Sequence, residues 1–221
     1  MLKTQIIENV RRIIAALPDD VELEAAAKTR SADEALAAVK GGVKILGYNY
    51  VQEAEAIKAQ INADVSWHMI GHLQKNKAKK AVHIFDMIET IDSMELAKTL
   101  NKLCREFDKR MDVLIEVNSG RESRKAGVDP DAVEPLIRDI SGLDNIRIKG
   151  LMTMGPWLED PEGLRPYFRQ TRELFDRIAA LHIPNIDMKI LSMGMSDSYR
   201  IAIEEGANLV RLGAVLFGPR G

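Results

Sequence analysis

Residues 21–47 read VELEAAAKTRSADEALAAVKGGVKILG, and this stretch decides the fold. A short apolar run at 21–27 ends at Lys28-Thr29-Arg30. Ser31, with Glu34 three positions on, forms a capping box ahead of Ala35, Leu36 and Val39. Gly41 and Gly42 stop that helix, and a second apolar run occupies 44–47. Two strands joined by a helix must pair in parallel, because the helix carries the chain back to the same edge.

The same alternation repeats along the chain. Further strand-like runs lie at 65–70, 84–90, 113–117, 146–152, 188–191 and 209–212. Helix signals separate them. Ser93 starts a helix through Leu96, Leu100 and Leu103. Asp129-Pro130 opens one through Val133, Leu136, Ile137 and Ile140, with proline at the first helical position. Asp160-Pro161 opens another through Leu164, Phe168, Leu174, Phe175, Ile178 and Leu181. Ser196 is placed to cap a short helix over 198–205 that stops at Gly206. Upstream of the first strand, Ile6, Ile7, Val10, Ile13, Ile14 and Leu17 recur at helical spacing until Pro18. About eight strand–helix units after an extra N-terminal helix predict an α/β fold, a single (β/α)8 TIM-type barrel over 1–221. An open doubly wound sheet is the alternative. No linker, repeat or low-complexity run divides the chain.

Composition narrows the function. The chain has 221 residues, 46% of them hydrophobic and 29% charged, with a formal net charge of −2. That balance gives no electrostatic reason for a nucleic-acid or membrane partner. The lysines from Lys75 to Lys80 read as a solvated helix face. The one cysteine, Cys104, excludes an internal disulfide and a cysteine-cluster metal site, and its helical setting gives it a packing role. The N-terminus lacks the apolar stretch of a secretion signal. No window approaches the roughly 18 apolar residues that span a bilayer. A cytoplasmic protein is expected.

Barrel chemistry gathers where strands end. The predicted junctions deliver Lys28 and Thr29, then Tyr48 and Asn49, then His68, Gly71 and His72. They go on to Thr90, Asp92 and Ser93, Asn118 and Ser119, and Met152 to Met154. The last two deliver Ser192 to Ser196, and Arg211, Gly213 and Ala214. A lysine at the inner end of a strand is partly desolvated, which makes its amine nucleophilic; a lysine that snorkels to solvent is an equal alternative from position alone. Ser192-Met193-Gly194-Met195-Ser196 and Arg211-Leu212-Gly213-Ala214 follow strands 7 and 8, where barrels commonly bind phosphate on free backbone N–H groups. His68 and His72 carry no metal signature, having no neighbouring glutamate or cysteine in sequence, so packing or hydrogen bonding is expected of them. The methionines 152, 154, 193 and 195 read as core filler. An amine facing a phosphate cradle across one barrel mouth suggests pyridoxal 5′-phosphate (PLP).

Several segments resemble the pyridoxal phosphate homeostasis protein family (YggS/PROSC-like). They are Ala27-Lys28-Thr29, Asn49 to Glu53, Trp67 to Lys77, Val117-Asn118, Ser192 to Asp197, and Val210 to Gly213. The likeness runs from the N-terminal helix to Phe217-Gly218, and the family shares the barrel of alanine racemase. The resemblance implies that Lys28 carries PLP as a Schiff base. It implies that Ser196, with backbone groups at Gly213 and Ala214, holds the phosphate, and that Arg211 faces the pyridine nitrogen. Asn49 and Ser192 complete the expected cofactor-binding set, with no metal. Family members act as carriers or regulators of PLP and amino-acid pools without clear turnover. Two positions depart from the pattern. Tyr48 stands where glutamate is usual. Ala214 stands where a hydroxyl is common, at a cost of about one hydrogen bond, on the order of 1 kcal/mol.

An arginine at the ring nitrogen mutes carbanion chemistry, and the second acid–base group of racemases is not evident, so a carrier is expected rather than an enzyme. The alternatives are an amino-acid racemase using Tyr48 as second base, and a barrel enzyme acting on a phosphorylated metabolite. PLP and amino acids are the expected ligands, and a monomer is expected.

Overall fold

The computed structural model describes residues 3–219. Of the predicted domain over 1–221, Met1, Leu2, Arg220 and Gly221 lie outside the described residues. The chain begins with helix α1 (Lys3–Ile14) and then runs through eight strands. These are β1 (Glu22–Ala26), β2 (Ile45–Tyr48), β3 (Ser66–Met69), β4 (Met87–Ile91), β5 (Met111–Glu116), β6 (Ile146–Met152), β7 (Ile186–Ser192) and β8 (Leu209–Leu212). Between them come α2 (Ala32–Gly41), α3 (Val51–Lys58), α4 (Ala78–Ile84), α5 (Met94–Glu106), α6 (Pro130–Ile140), α7 (Arg165–Ala180) and α8 (Tyr199–Glu204); α9 (Ala214–Phe217) follows β8. The strands pair in parallel in sequence order, and β1 closes on β8, with Leu23 opposite Val210. The closed barrel excludes the open doubly wound sheet.

The local signals act as expected. Ser31 Oγ accepts from Glu34 N at 3.3 Å while Glu34 Oε2 accepts from Ser31 N at 2.9 Å, and Gly42 ends α2 at φ 118°. Ser93 and Asp129 cap α5 and α6 through their side chains. Asp160-Pro161 opens a 3-10 turn over Pro161–Leu164, and α7 starts only after it. The apolar run at 84–90 is split. Ile84 ends α4, and Asp86 N then donates to Trp67 O while the Asp86 carboxylate accepts from Trp67 N before β4 begins. Apolar residues flank Asp86 on both sides, Ile84 and Phe85 before it and Met87 and Ile88 after it, which hid the break.

Two apolar cores follow from the strand alternation. The larger lies between the barrel and its helices and takes in Ile6, Val10, Leu100, Phe168 and Cys104. A small one inside the barrel holds Met87, Leu114 and Met152, with Ile190 against it. The β6–β7 register shifts near Gly150, where a Cβ would stand 1.8 Å from Ile190 O, so only glycine fits that approach. Above the small core the barrel interior turns polar.

Candidate functional site

Lys28 stands two positions past the end of β1, after Ala27, and is half-buried. Thr29 beside it takes φ 64°, a left-handed conformation that β-branched residues avoid, and its N–H donates to the Glu53 carboxylate. The strained turn is thereby tied to α3, which fixes where Lys28 leaves the strand. Lys28, Ser196, Arg211, Gly213 and Ala214 line one cavity of about 340 Å3, together with Ala26, Arg30, Met195, Asp197 and Gly218. The ends of β1, β7 and β8 supply this set.

Ser196 does not cap α8. Ser198 occupies the N-cap of α8, and its Oγ accepts from Met195 N at 3.2 Å. Ser196 Oγ instead accepts from Gly213 N at 3.2 Å and Val215 N at 3.4 Å, tying the loop after β7 to the loop after β8. Gly194 makes this possible. Its φ is 89°, and a Cβ there would stand 2.7 Å from Ala202 Cβ. Both N–H groups point at Ser196 Oγ, which gathers hydrogen-bond donors at the edge of the cavity, the kind of group an oxyanion needs.

Beneath the cavity the barrel carries a buried polar network. Arg211, 5% exposed, donates to Ser192 Oγ and, at 2.8 Å, to Thr153 O. Ser192 Oγ donates to Glu89 Oε2 at 2.7 Å, and His68 Nδ1 lies 2.8 Å from Glu89 Oε1. Burial raises the Glu89 carboxyl, but the His68 hydrogen bond and charge, then Arg211, pull it below its ordinary value. Glu24, wholly buried, goes the other way. Burial first, and the Glu89 charge second, hold it well above the usual carboxylate range. Burial thus favours the protonated form of Glu24, while Glu89 is drawn toward its anion beside His68 and the Arg211 guanidinium. Ser192 does not line the cavity; it sits behind Arg211 and orients it. His68 makes the expected hydrogen bond, yet carboxylates do sit beside it in space. Glu24, His68 and Glu89 each offer a ligand atom within 4.8 Å of the others and are the described residues that can hold a metal. The adjacent guanidinium opposes a divalent cation there.

Strand alternation corrects the reading of Tyr48. Gly47 faces the barrel interior, where a Cβ would meet Glu24 Oε1 at 2.2 Å, so Tyr48 faces the helix layer. It is wholly buried and stacks on Trp67 with ring centroids 5.5 Å apart. Its hydroxyl has no hydrogen-bond partner among the described residues, and burial pushes its pKa up. Asn49, just after β2, is half-buried and lines a second cavity rather than the one holding Lys28. That neighbour measures about 410 Å3 and shares Met195 and Asp197 with the first. Glu116, at the end of β5, also lines it. Burial, with Asp92 adding and Arg211 opposing, pushes Glu116 up to about 7. Inward acids such as Glu24, Glu89 and Glu116 escaped the sequence reading because each sits inside a strand-like run rather than after one. The only signal for them was a charge at an inward position of a buried strand.

Residues 3–221 match the family model described as alanine racemase, N-terminal domain. A pyridoxal phosphate homeostasis protein of Aquifex aeolicus is 43% identical over 81% of this chain and 78% of its own. The Homo sapiens protein of that name is 34% identical over 96% of this chain and 83% of its own. The structure of PipY from Synechococcus elongatus with PLP bound superposes at a TM-score of 0.89, with 33% identity, covering 96% of this chain and all of PipY. A Clostridium difficile alanine racemase superposes at 0.83 but is 16% identical and is covered over only 56% of its length, a likeness of fold. The chain belongs to the pyridoxal phosphate homeostasis protein family, built on the alanine racemase N-terminal barrel.

Proposed function

We propose that this protein binds PLP through Lys28 and serves its homeostasis as a carrier or regulator, without efficient catalytic turnover. The observation that carries the reading is that Lys28, Ser196, Arg211, Gly213 and Ala214 line one cavity of a size usual for a small cofactor. When bound, PLP supplies an aldehyde that condenses reversibly with amines and a ring that stores electrons best when its nitrogen is protonated. Lys28 Nζ would hold the aldehyde carbon. Ser196 Oγ and the backbone groups of Gly213 and Ala214 would hold the phosphate, the Ala214 side chain adding no hydroxyl. Arg211, fixed by Ser192 and Thr153, would present a cation to the ring nitrogen and disfavour its protonation. Tyr48, turned into the helix layer, supplies no acid–base group to the opposite face of an amino acid. Both features support a carrier over a racemase. Among the described residues no helix is long and apolar enough to cross a membrane.

The test is borohydride reduction of PLP-treated protein followed by peptide mass mapping. The adduct is expected on Lys28, with negligible interconversion of amino-acid enantiomers by the same preparation. No adduct at Lys28 would leave a barrel enzyme for another phosphorylated metabolite. Robust racemisation would restore the enzymatic reading.

A further inference from the structure

We propose that the 410 Å3 cavity beside the Lys28 cavity binds a primary amine with an apolar body, the ammonium group pairing with Glu116. Glu116 is 9% exposed, lines this cavity, and its Oε2 has no hydrogen-bond partner among the described residues. A buried carboxyl in that state gains a charge-assisted hydrogen bond from any ammonium that reaches it. The surrounding charges favour the same choice. Asp197 also lines the cavity. Lys125 on its wall is already engaged with Glu122 at 2.6 Å, and His72 Nδ1 lies 3.5 Å from an Asp92 carboxylate oxygen. An anion at Glu116 would meet like charge.

The opposite wall selects the body of the ligand. Met154, Pro156, Trp157 and Leu158 form an apolar stretch, with Trp157 78% and Met154 40% exposed. Large side chains left this open next to a polar anchor mark a ligand surface. The two cavities meet at Met195 and Asp197, so an amine held here lies beside the Lys28 cavity. This proposal goes beyond PLP binding and stands without it. Glu116 and the apolar wall belong to the chain itself, so PLP-free protein can be used.

The experiment is titration of PLP-free protein with phenethylamine, L-phenylalanine and 2-phenylethanol, followed by tryptophan fluorescence. Trp157 lines the cavity, whereas Trp67 is buried. A Trp157→Phe control assigns the signal. Phenethylamine is expected to give a saturable change, 2-phenylethanol at least a tenfold weaker one, and Glu116→Gln at least a tenfold higher Kd for the amine. Tighter binding of L-phenylalanine than of phenethylamine would identify amino acids as the source of the amine; the reverse would identify simple amines. Calorimetry on the wild type alone compares amine with alcohol should the variant fold poorly. Equal affinity for amine and alcohol, an unchanged Kd in Glu116→Gln, or no saturable signal from either amine would overturn the proposal.

Discussion

At the scale of single residues, charge inside the barrel governs the behaviour of the site. Glu116 titrates near 4.5 when unfolded and at about 7 when folded, because burial and Asp92 penalise its anion. The folded state therefore holds the proton more tightly. The stability this contributes is complete below the unfolded value and is lost as pH rises through about 7. The span corresponds to about 3 kcal/mol. Urea unfolding at about pH 5 and about pH 8 should show Glu116→Gln flattening the loss seen in the wild type. Equal slopes in the two proteins would contradict the assignment. Arg211 is the opposite case. Arg211→Leu removes the guanidinium that draws Glu89 toward its anion and leaves that buried carboxylate without it. A loss of about 3–5 kcal/mol in urea unfolding is expected, and a loss under about 1 kcal/mol would show that the network does not depend on it.

At the scale of elements, the loops after β7 and β8 act as one unit, because Ser196 Oγ accepts N–H groups from the second while belonging to the first. Ser196→Ala should weaken PLP binding about tenfold, the equivalent of one hydrogen bond, as read by equilibrium titration. An unchanged Kd would place the phosphate elsewhere. The α2 capping box was legible because its signal is local: two side chains three positions apart and a glycine pair. Ser31→Ala should cost about 1 kcal/mol in thermal or urea unfolding. The role of Ser196 was not legible, since its partners lie in another loop, 17 and 19 positions away. Tyr48 failed for a related reason. Which side of β2 it faces depends on register, and a shift of one residue sends a side chain from the barrel interior to the helix layer.

At the scale of the whole molecule, the barrel was legible because parallel strands buried on both faces read as apolar runs, and eight of them alternate with helix signals. The bonds that arrange its interior were not legible. Ser192 with Glu89 spans 103 positions, and Arg211 with Thr153 spans 58. Closure of β1 on β8 brings Lys28 beside Arg211 and Gly213, so the site exists only in the closed barrel. The cavity holding Lys28 meets the one holding Glu116 and Asn49 at Met195 and Asp197. The sequence order of these residues does not show that arrangement.

The central claim is that Lys28 holds PLP, and the visible absorption spectrum of the purified protein after adding PLP tests it most directly. The wild type should develop a visible band that borohydride abolishes, and Lys28→Ala should show none while keeping its fold by circular dichroism. A wild type without the band, or a Lys28→Ala protein that keeps it, would contradict the account.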